Sequence, residues 1–514
     1  MSISTTRARS PWAALGVLAL AMLVIGLDAM VLTVALPSLS RELGATTSQL
    51  QWVTTVYPLV LGAFMVPFGA LGDRLGRSRL LALSLLGFGA ASALCAFSGS
   101  AAMLVVGRAL LGLCAAAAMP LSMAVLPGLF PDPHERQRAM GVWMASSALG
   151  LPLGPILGGL LLRHFWWGSV FLINVPVAAV GAVAVWLMVP DSRGTVVPGA
   201  RLDIPGVALS VVGFGSLVYA FTEAGERGWT SARFVGWLAV AVALLVLFVW
   251  RQLTTPHPLV RLELLRRRGF LAGTVLASAT MLLLSGATFQ LSQEFSAAFD
   301  ADALGVGLRL LPIVGALIVG TRISDMAGRR LGRRTVAMAS CVLLLAACGV
   351  QAVVADGSYG VYAIMSVLLG LGLGGVIPMA MAMATMDLDD SDAGSGSALL
   401  QAIRQIASAL GVAVLGSAVA AAYGARLVGV TMPASVRAAA QGGVVAGTTS
   451  ARRVAPDSVA GIVGAYQHGL AMSALVGCGV SVVLVALCLL IPAQSARGPA
   501  DAEAGEHDEA ARTA

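Results

Sequence analysis

Long apolar stretches separated by short polar gaps run along almost the whole chain. A helix needs about 20 apolar residues to cross the roughly 30 Å of hydrocarbon in a bilayer. Fourteen stretches reach that length, with approximate limits 13–35, 50–71, 80–98, 102–126, 139–162, 168–189, 205–222, 233–252, 270–292, 303–324, 335–354, 359–384, 398–421 and 464–491. The pattern predicts an all-α integral membrane protein with 14 transmembrane helices.

The predicted spans form groups of six, two and six, and a polar signature recurs in the two larger groups. The segment DRLGR at 73–77 follows the second span, and DMAGR at 325–329 follows the corresponding span of the last group, 252 positions later. Duplicated membrane halves are typical of transporters that rock about a central site. We expect two six-helix bundles, at 13–189 and 270–491, with two extra central transmembrane helices and their linkers at 190–269.

Three polar or weakly patterned segments complete the predicted organisation. Residues 1–12 are expected to be a cytoplasmic N-terminus rather than a signal peptide, because the apolar run that follows exceeds the roughly 7–15 residues of a cleaved segment. The segment 424–462 is rich in Gly, Ala, Val and Thr and lacks a clear helical face, which predicts a mobile outer loop. The acidic segment 492–514 is expected to be a disordered cytoplasmic tail.

Composition and charge support the membrane assignment. Hydrophobic residues make up 58% of the chain and charged residues 11%, against about 45–50% and about 25% in soluble domains. The net charge of +7 comes from Arg alone, since the chain has no Lys. The Arg residues lie mostly in short gaps rather than on one soluble face, which argues against nucleic-acid binding.

The distribution of Arg also predicts the topology. Most of the Arg residues fall in alternate gaps, which the positive-inside rule assigns to the cytoplasm together with both termini. An acidic gap at 387–392 lies on the same predicted side, but acids contribute little to the rule. We therefore expect a multi-pass protein of the cell membrane, with the lipid bilayer as its surroundings.

Several classes of site are missing from the sequence. The six Cys residues lie in apolar runs without metal-ligand spacing, so neither a metal nor a cofactor is predicted. The phosphate-binding pattern GxxxxGK[ST] does not occur, which excludes ATP-driven transport within this chain and points to an ion gradient. Neither HExxH nor GxSxG occurs at a suitable depth, so an enzyme is not predicted.

Two charged residues lie well inside predicted spans. Burial in hydrocarbon favours the protonated form of Asp28, so this residue could bind and release a proton near neutral pH and attract a cationic substrate. The structural alternative is a buried acid held by Thr33 or a neighbouring helix. Arg108 cannot lose its charge and must face a wet cavity or an acid. It could tune the proton affinity of that acid or form a purely structural ion pair.

Three further polar residues are candidates for proton coupling or substrate binding. Gln290 and Glu294 lie at the predicted outer end of the ninth span, where they could line the mouth of a cavity. The membrane interface also tolerates such residues without a function. Arg404 is more interior and is flanked by Gln401 and Gln405.

The fifth predicted span carries a row of small residues. Gly150, Gly154 and Gly158 repeat every four residues, followed by Gly159, and this spacing permits close contact with a neighbouring helix. Pro155 removes a helical hydrogen bond and permits a bend. The row fits a moving interface between the halves, although simple tight packing explains it as well.

The repeated polar signature is the candidate cytoplasmic gate. Gly76 permits a tight reversal between two helices, and Asp73 lies near the start of the third span. Together with Arg74 and Arg77 it could latch the two halves, or these residues could only set the topology. The second copy, comprising Asp325, Gly328 and Arg329, lacks the Arg that follows the acid in the first copy.

These segments resemble motifs of the major facilitator superfamily, over roughly residues 13–421 and the last span. The matching segments are the loop motif at 69–80, the fourth-helix motif at 104–112, the antiporter signature at 150–159, the first-helix motif at 27–37 and the thirteenth-helix pattern at 397–416. The last two are similar to the fourteen-helix drug:proton antiporters of that superfamily. The resemblance implies a coupling role for Arg108.

The leading hypothesis is therefore proton-coupled efflux of amphipathic or cationic small molecules, such as drugs and antibiotics, by alternating access. Small-molecule substrates and protons are the expected partners, and we expect the protein to act as a monomer. A narrow exporter of one endogenous metabolite or antibiotic is the main alternative. A non-transporting membrane sensor is less favoured, because no sizeable soluble signalling domain is present in the chain.

Overall fold

The computed structural model describes residues 11–193, 203–256, 258, 262–353, 358–386 and 390–490, and within these ranges it is helical without strands. The helices are α1 (Pro11–Glu42), α2 (Thr47–Leu75), α3 (Arg77–Ala96), α4 (Ala101–Ala124), α5 (Leu126–Leu129), α6 (Pro133–His164), α7 (Ser169–Leu172), α8 (Asn174–Met188), α9 (Ile204–Arg227), α10 (Ala232–Thr254), α11 (Arg268–Ala298), α12 (Ala303–Leu331), α13 (Arg333–Val353), α14 (Tyr359–Met386), α15 (Asp390–Leu427), α16 (Ala434–Gly442), α17 (Val444–Val454) and α18 (Ser458–Leu490). A 3₁₀ turn covers Leu262–Arg266.

The predicted all-helical membrane architecture is confirmed in its main features. Thirteen helical segments of the described chain are long and apolar enough to cross a membrane. The remaining predicted span, 139–162, lies on α6, a helix of 32 residues that is not among the thirteen. The first turns of α6 are polar, with Glu135, Arg136 and Arg138.

Side-chain caps account for several helix starts. Thr46 and Gln49 form a reciprocal capping box at the start of α2, in which each side chain accepts a hydrogen bond from the other residue's backbone amide. Ser100 and Asp302 cap α4 and α12 through the amides of Met103 and Gly305. Beyond these caps the backbone groups bond along the helix itself, as hydrocarbon requires, except where the internal prolines Pro58, Pro67, Pro120 and Pro312 lack a donor.

Two large apolar cores contain most of the buried apolar side chains of the described residues. One consists of residues between 14 and 189, joined by Phe289 and Val412, and the other of residues between 264 and 488. We call the regions of α1–α8 and α11–α18 the first and second halves. The main packing between them pairs α2 with α15 and α6 with α12.

The two ends of the molecule differ in how closely the halves approach each other. We call the end with the α2–α3 and α12–α13 turns the turn end, and the opposite end, which carries α16 and α17, the far end. At the far end a methyl group on Gly159 would lie 2.6 Å from the Cα atom of Leu304. Towards the turn end, Met144 of α6 and Met326 of α12 are exposed. The halves are therefore in close contact near the far end.

Helices α9 and α10 form a hairpin outside both halves. α9 packs on α2 and α15, which are the two helices that meet across the halves. α10 packs mainly on α9, and most of its side chains are exposed, as in a helix that faces lipid. The hairpin therefore covers one seam of the structure.

A buried carboxylate holds the hairpin together. Asp203 caps α9, its Oδ1 accepting from the Gly206 amide at 3.0 Å and from Arg251 Nε at 2.7 Å. Gln252 Nε2 donates to Asp203 Oδ2 at 3.0 Å. Burial acts to raise the pKa of Asp203, but the hydrogen bonds from Arg251, Gly206 and Gln252 outweigh it, so this pKa lies below its ordinary value.

Asp203→Asn is expected to destabilise the protein by about 1–2 kcal/mol near neutral pH, because it removes the charge from hydrogen bonds that an ionised acceptor strengthens. Because the pKa of Asp203 is lower in the folded protein than in the unfolded protein, the ionised side chain stabilises the fold at pH values above the unfolded pKa of about 3.9. This stabilisation is lost as the pH falls through the folded pKa. Melting curves in detergent at pH 7 and below pH 4 test this, with Glu226→Gln on the exposed face of α9 as control. A melting difference independent of pH contradicts the assignment.

The segment predicted as a loop without a helical face is helical in part, so that prediction was wrong. α16 and α17 bury Val436, Val444 and Val445. Tyr423 donates from its hydroxyl to the carbonyl of Ala440 at 2.9 Å. Thr47 of the first half donates to the carbonyl of Gly442 at 3.4 Å. The segment thus joins both halves at the far end.

Some predictions fall outside the described residues. These are residues 1–10 of the N-terminus, the tail from 491 onwards, most of the linker at 194–202, residues 387–389 of the acidic gap and the side chain of Arg329.

Candidate functional site

The two charges predicted inside the first half form one buried ion pair. Arg108 of α4 donates from Nη1 to Asp28 Oδ2 of α1. Asp28 is 3% exposed and Arg108 1% exposed, so neither side chain reaches lipid or solvent. Removing one partner from such a pair would leave an uncompensated charge in the interior, which is strongly unfavourable.

Neutral groups from three other helices complete this cluster. Asn174 of α8 donates from Nδ2 to Asp28 Oδ1 at 3.3 Å and lies at the same distance from Ser92 Oγ. Arg108 donates from Nε to the carbonyl of Val53 at 3.3 Å. Its guanidinium carbon lies 4.4 Å from the centre of the Tyr57 ring, a cation–π arrangement. The cluster therefore connects α1, α2, α3, α4 and α8.

The glycine row of α6 packs directly on the α1 segment that carries Asp28. A methyl group on Gly150 would lie 2.6 Å from the carbonyl carbon of Gly26 and 2.7 Å from the nitrogen of Leu27. One on Gly154 would lie 2.6 Å from the Cβ atom of Met30. These contacts leave no room for a side chain, as the small-residue spacing predicts.

The other side of the same helix contacts the second half. A methyl group on Gly307 of α12 would lie 2.4 Å from the carbonyl oxygen of Pro155. Pro155 also lines a small cavity of about 10 Å³ between the halves, together with Met30 and Thr33 of α1 and Thr288 of α11. α6 thus lies between the turn of α1 beside Asp28 and the opposite half.

Glu294 and Gln290 lie in the interior of the second half rather than at a cavity mouth. Glu294 is fully buried, and its Oε1 accepts from the Tyr362 hydroxyl at 3.0 Å and from Gln467 Nε2 at 2.9 Å. Gln290 donates from Nε2 to Ser473 Oγ at 2.9 Å. The expectation that these residues line an outer opening was wrong for this conformation.

Arg404 forms a third, separate polar site on α15. It donates from Nη1 to Gln401 Oε1 and approaches Met381 Sδ of α14 at 3.7 Å. Its Nε has no hydrogen-bond partner among the described residues, and Gln405 next to it packs against Gly62 of α2. The candidate residues therefore occupy three locations and do not converge on one site.

The α2–α3 turn contains the predicted acid–Arg cluster. Asp73 and Arg77 pair at 2.8 Å, and Arg77 Nη1 donates to the carbonyl of Ala124 at 3.0 Å. Gly76 has a φ of 110°, and a methyl group there would lie 2.5 Å from both carboxylate oxygens of Asp191. These contacts of Asp73, Gly76 and Arg77 all lie within the first half.

The second copy of the signature has a different register from the one predicted. Gly328 lies inside α12, and the turn occurs at Gly332, whose φ is 83°. The equivalent segments are GDRLGR at 72–77 and GRRLGR at 328–333, so the repeat distance is 256 and Arg329 occupies the place of Asp73. Assigning Gly328 to the turn was wrong, and Asp325 is an exposed residue one turn earlier.

Sequence reasoning missed the neutral partners of both carboxyl groups. Asn174, Ser92, Tyr362 and Gln467 lie in helices other than those of the acids they serve. Each of these partners is a single polar residue within or at the end of an apolar span. The sequence could have marked them as candidates, because polar residues in membrane helices are usually hydrogen-bonded to another helix.

Helices α4 and α14 pack within their own halves, unlike the helices that join the halves. α4 packs on α2 and α3, and α14 packs on α11, α12 and α13. Half-buried methionines lie in the last turns of both helices, towards the turn end: Met119, Met123, Met381 and Met383. Methionine adapts its shape to varied partners.

Comparison with known proteins agrees with this architecture. The profile of the Major Facilitator Superfamily matches residues 18–412. A tetracenomycin C resistance and export protein of Streptomyces glaucescens is 31% identical over 415 residues, which are 80% of this chain and 77% of that protein. The multidrug efflux pump LfrA of Mycolicibacterium smegmatis is 37% identical over 328 residues, covering 63% of this chain and 64% of that one.

A solved structure shares the fold at low sequence identity. It is a bacterial homologue of the human lysosomal transporter Spinster, in an inward-facing and occupied conformation. The TM-score is 0.68 at 15% identity, over 95% of this chain and 97% of that one. A sequence identity of this size supports a shared fold and does not by itself support a shared function.

Proposed function

The chain belongs to the Major Facilitator Superfamily, and we propose that it exports amphipathic or cationic small molecules of the drug and antibiotic class in exchange for protons. As a member of this family it is a transporter rather than an enzyme. The names of its relatives support efflux of antibiotics and other drugs. The expected route is alternating access between two halves of the molecule.

The observation that carries the coupling proposal is the position of α6. Its glycine face contacts α1 beside Asp28, and its Pro155 face contacts α12 of the opposite half. A shift of one half against the other therefore moves the helix that supports Asp28. Because a packed interface is bistable rather than continuously deformable, such a shift can make or break the Asp28–Arg108 pair.

The proton step follows from that pair. While Arg108 binds Asp28, the guanidinium balances the charge that a carboxylate carries, so the pair needs no proton. When the pair separates, an isolated carboxylate in a dry interior neutralises by taking up a proton. Asp28 thus binds a proton in one conformation and releases it in the other, and Arg108 controls the exchange.

The cargo cleft is assigned to the space between α4 and α14 at the turn end. In this proposal the half-buried methionines would form an adaptable apolar wall, and Arg404 with Gln401 would add polar groups beside Met381. Gln290 and Glu294 lie deeper in the second half. An apolar wall with a few polar groups suits amphipathic molecules.

We assign the cytoplasmic gate to the α2–α3 turn. In the state described here Asp73 and Arg77 are bound within the first half. On closure Asp73, Arg74 and Arg77 would meet the α12–α13 turn of the second half. Gly76 and Gly332 provide the two reversals, and Asp325, Gly328 and Arg329 belong to the end of α12 that would approach.

The proposed topology has fourteen spans, with α6 as the span outside the thirteen apolar segments. The domain division is a bundle at 13–189, two extra helices within 190–269 and a second bundle at 270–491. The Arg-rich turn end faces the cytoplasm, so both termini are cytoplasmic. The lipid bilayer surrounds a monomer, and no cofactor or metal takes part.

A cell-based efflux assay tests the function. Cells loaded with the fluorescent monovalent cation ethidium should lose it faster when they express the chain, and a protonophore should abolish the difference. Cells expressing Asp28→Asn serve as the control. Efflux that continues after the protonophore but stops on ATP depletion would contradict proton exchange.

A narrow exporter of one endogenous metabolite is the second candidate. The name of the Streptomyces glaucescens relative favours this candidate, because it specifies resistance to and export of one antibiotic, tetracenomycin C. A panel of dyes, quaternary ammonium compounds and ribosome-targeting antibiotics separates the two, because a narrow exporter would confer resistance to one chemical class.

A further inference from the structure

A second buried carboxyl group lies in the half opposite to Asp28. Glu294 of α11 is fully buried, and its Oε1 accepts two hydrogen bonds, from Tyr362 of α14 and Gln467 of α18. Its Oε2 is also buried and has no hydrogen-bond partner among the described residues. Three helices of the second half therefore converge on one carboxyl group.

The two carboxyl clusters use the same helices of their halves. Asp28 lies on the first span of its half and is bound from the fourth span by Arg108 and from the sixth by Asn174. Glu294 likewise lies on the first span of the second half, and its partners lie on the fourth and sixth. The difference is chemical: a guanidinium in the first half is replaced by a phenol in the second.

Among the described residues, none places a positive charge against the carboxylate of Glu294. On α18, Tyr466 donates to the carbonyl of Gln290 at 3.2 Å, and Tyr423 of α15 packs against Tyr466. His468, beside Gln467, is half-buried and forms no ion pair with Glu294.

The nearby arginines and the acid of α1 are engaged elsewhere. Arg452 of α17 is bound to Asp300 and to the carbonyl of Ala297. Arg309 of α12 lies against the rings of Phe299 and Tyr359. Asp28 of α1 is paired with Arg108. No described Arg or His lies within 4.0 Å of the Glu294 carboxylate oxygens.

An unpaired carboxylate in such a place is far less stable than the neutral acid. One oxygen of Glu294 accepts both hydrogen bonds, so the other is the natural position of the proton. A cavity of about 20 Å³, enough for about one water, lies nearby and is lined by Gln290, Ser473 and Gln351. Gln290 is one helical turn from Glu294, so this small cavity ends close to the carboxyl group.

We propose that Glu294 is a second proton-binding site of the exchange, loaded in the conformation described here. This inference rests on the proposed function. The proton binds the ionised carboxylate when the cluster opens to one side and leaves as H⁺ to the other, with no other bond made or broken. Together with Asp28, the chain would then exchange two protons for each cargo molecule.

Infrared difference spectroscopy of the purified full chain tests the proton site without any cargo. Raising the pH should remove the carbonyl band of a protonated carboxylic acid from the wild-type spectrum. Glu294→Gln should lack that change, while its side-chain oxygen can still accept from Tyr362 and Gln467. Glu223→Gln is the matched control, because Glu223 is a buried glutamate of α9 that is already paired with Arg227 at 3.2 Å. An unchanged band in Glu294→Gln would overturn the proposal.

Transport in proteoliposomes gives the second readout. Two protons exchanged for one ethidium cation move net charge, so wild-type transport should respond to both a pH gradient and a membrane potential. Glu294→Gln should exchange one proton per ethidium and lose the response to potential while keeping the response to the pH gradient. A variant that keeps its response to potential would overturn the proposal. A wild type that moves no ethidium would contradict the proposed function, and the infrared result would still decide the role of Glu294.

Discussion

Ethidium–proton exchange is expected to fall to background in Asp28→Asn, because the proposed change of conformation depends on making and breaking the Asp28–Arg108 pair, and a proton on Glu294 cannot replace that step. The same change leaves Arg108 buried and without its carboxylate, which by itself costs about 3–5 kcal/mol. Loss of transport in this variant alone would not separate proton carriage from folding.

The paired variant Asp28→Asn/Arg108→Gln makes that separation. It removes both charges, so it should melt close to the wild type, since replacing a whole buried ion pair by neutral groups is often tolerated. It should still exchange nothing. Asp28→Glu keeps a titratable group and should retain part of the activity. Full exchange in the paired variant would remove Asp28 from the mechanism.

Gly150→Ala is expected to reduce turnover severely, because the new methyl group would lie 2.6 Å from the backbone of α1 at Gly26. Overpacking of this kind typically costs about 1–3 kcal/mol, and here it forces α6 away from the helix that carries Asp28. Ethidium transport in proteoliposomes and ethidium binding to purified protein measure turnover and binding separately.

Gly141→Ala is the matched control for this prediction. Gly141 lies on the same helix, and a methyl group there would meet nothing within 4 Å. It should transport and bind like the wild type. If Gly150→Ala transports normally, or if both variants are impaired equally, the contact between α6 and α1 has no part in coupling.

Much of the fold could be predicted from the sequence because hydrocarbon imposes a strong length rule on apolar segments. Asp28 and Arg108 were also identifiable, since a charged residue inside a membrane span is costly and is therefore usually functional. Their pairing could not be predicted, because the contact depends on how α1 and α4 are placed relative to each other. The same applies to Glu294, whose burial results from α14 and α18.

Two errors show the limits of pattern reasoning in this chain. α16 and α17 are short helices stabilised by tertiary contacts such as Tyr423 with Ala440, and short helices have little stability of their own. The turn at Gly332 was not predicted, because the second copy of the signature was aligned with the first on the acid Asp325, four residues too early. The glycine with positive φ, not the acid, determines where the chain reverses.

The direct test of the exchange itself is proton movement driven by cargo alone. Proteoliposomes containing the full chain and a trapped pH indicator receive an ethidium gradient with no initial pH difference. We predict that ethidium entry drives protons out through the wild type and that Asp28→Asn/Arg108→Gln moves neither species. Ethidium entry through the wild type with no change in internal pH would contradict the account.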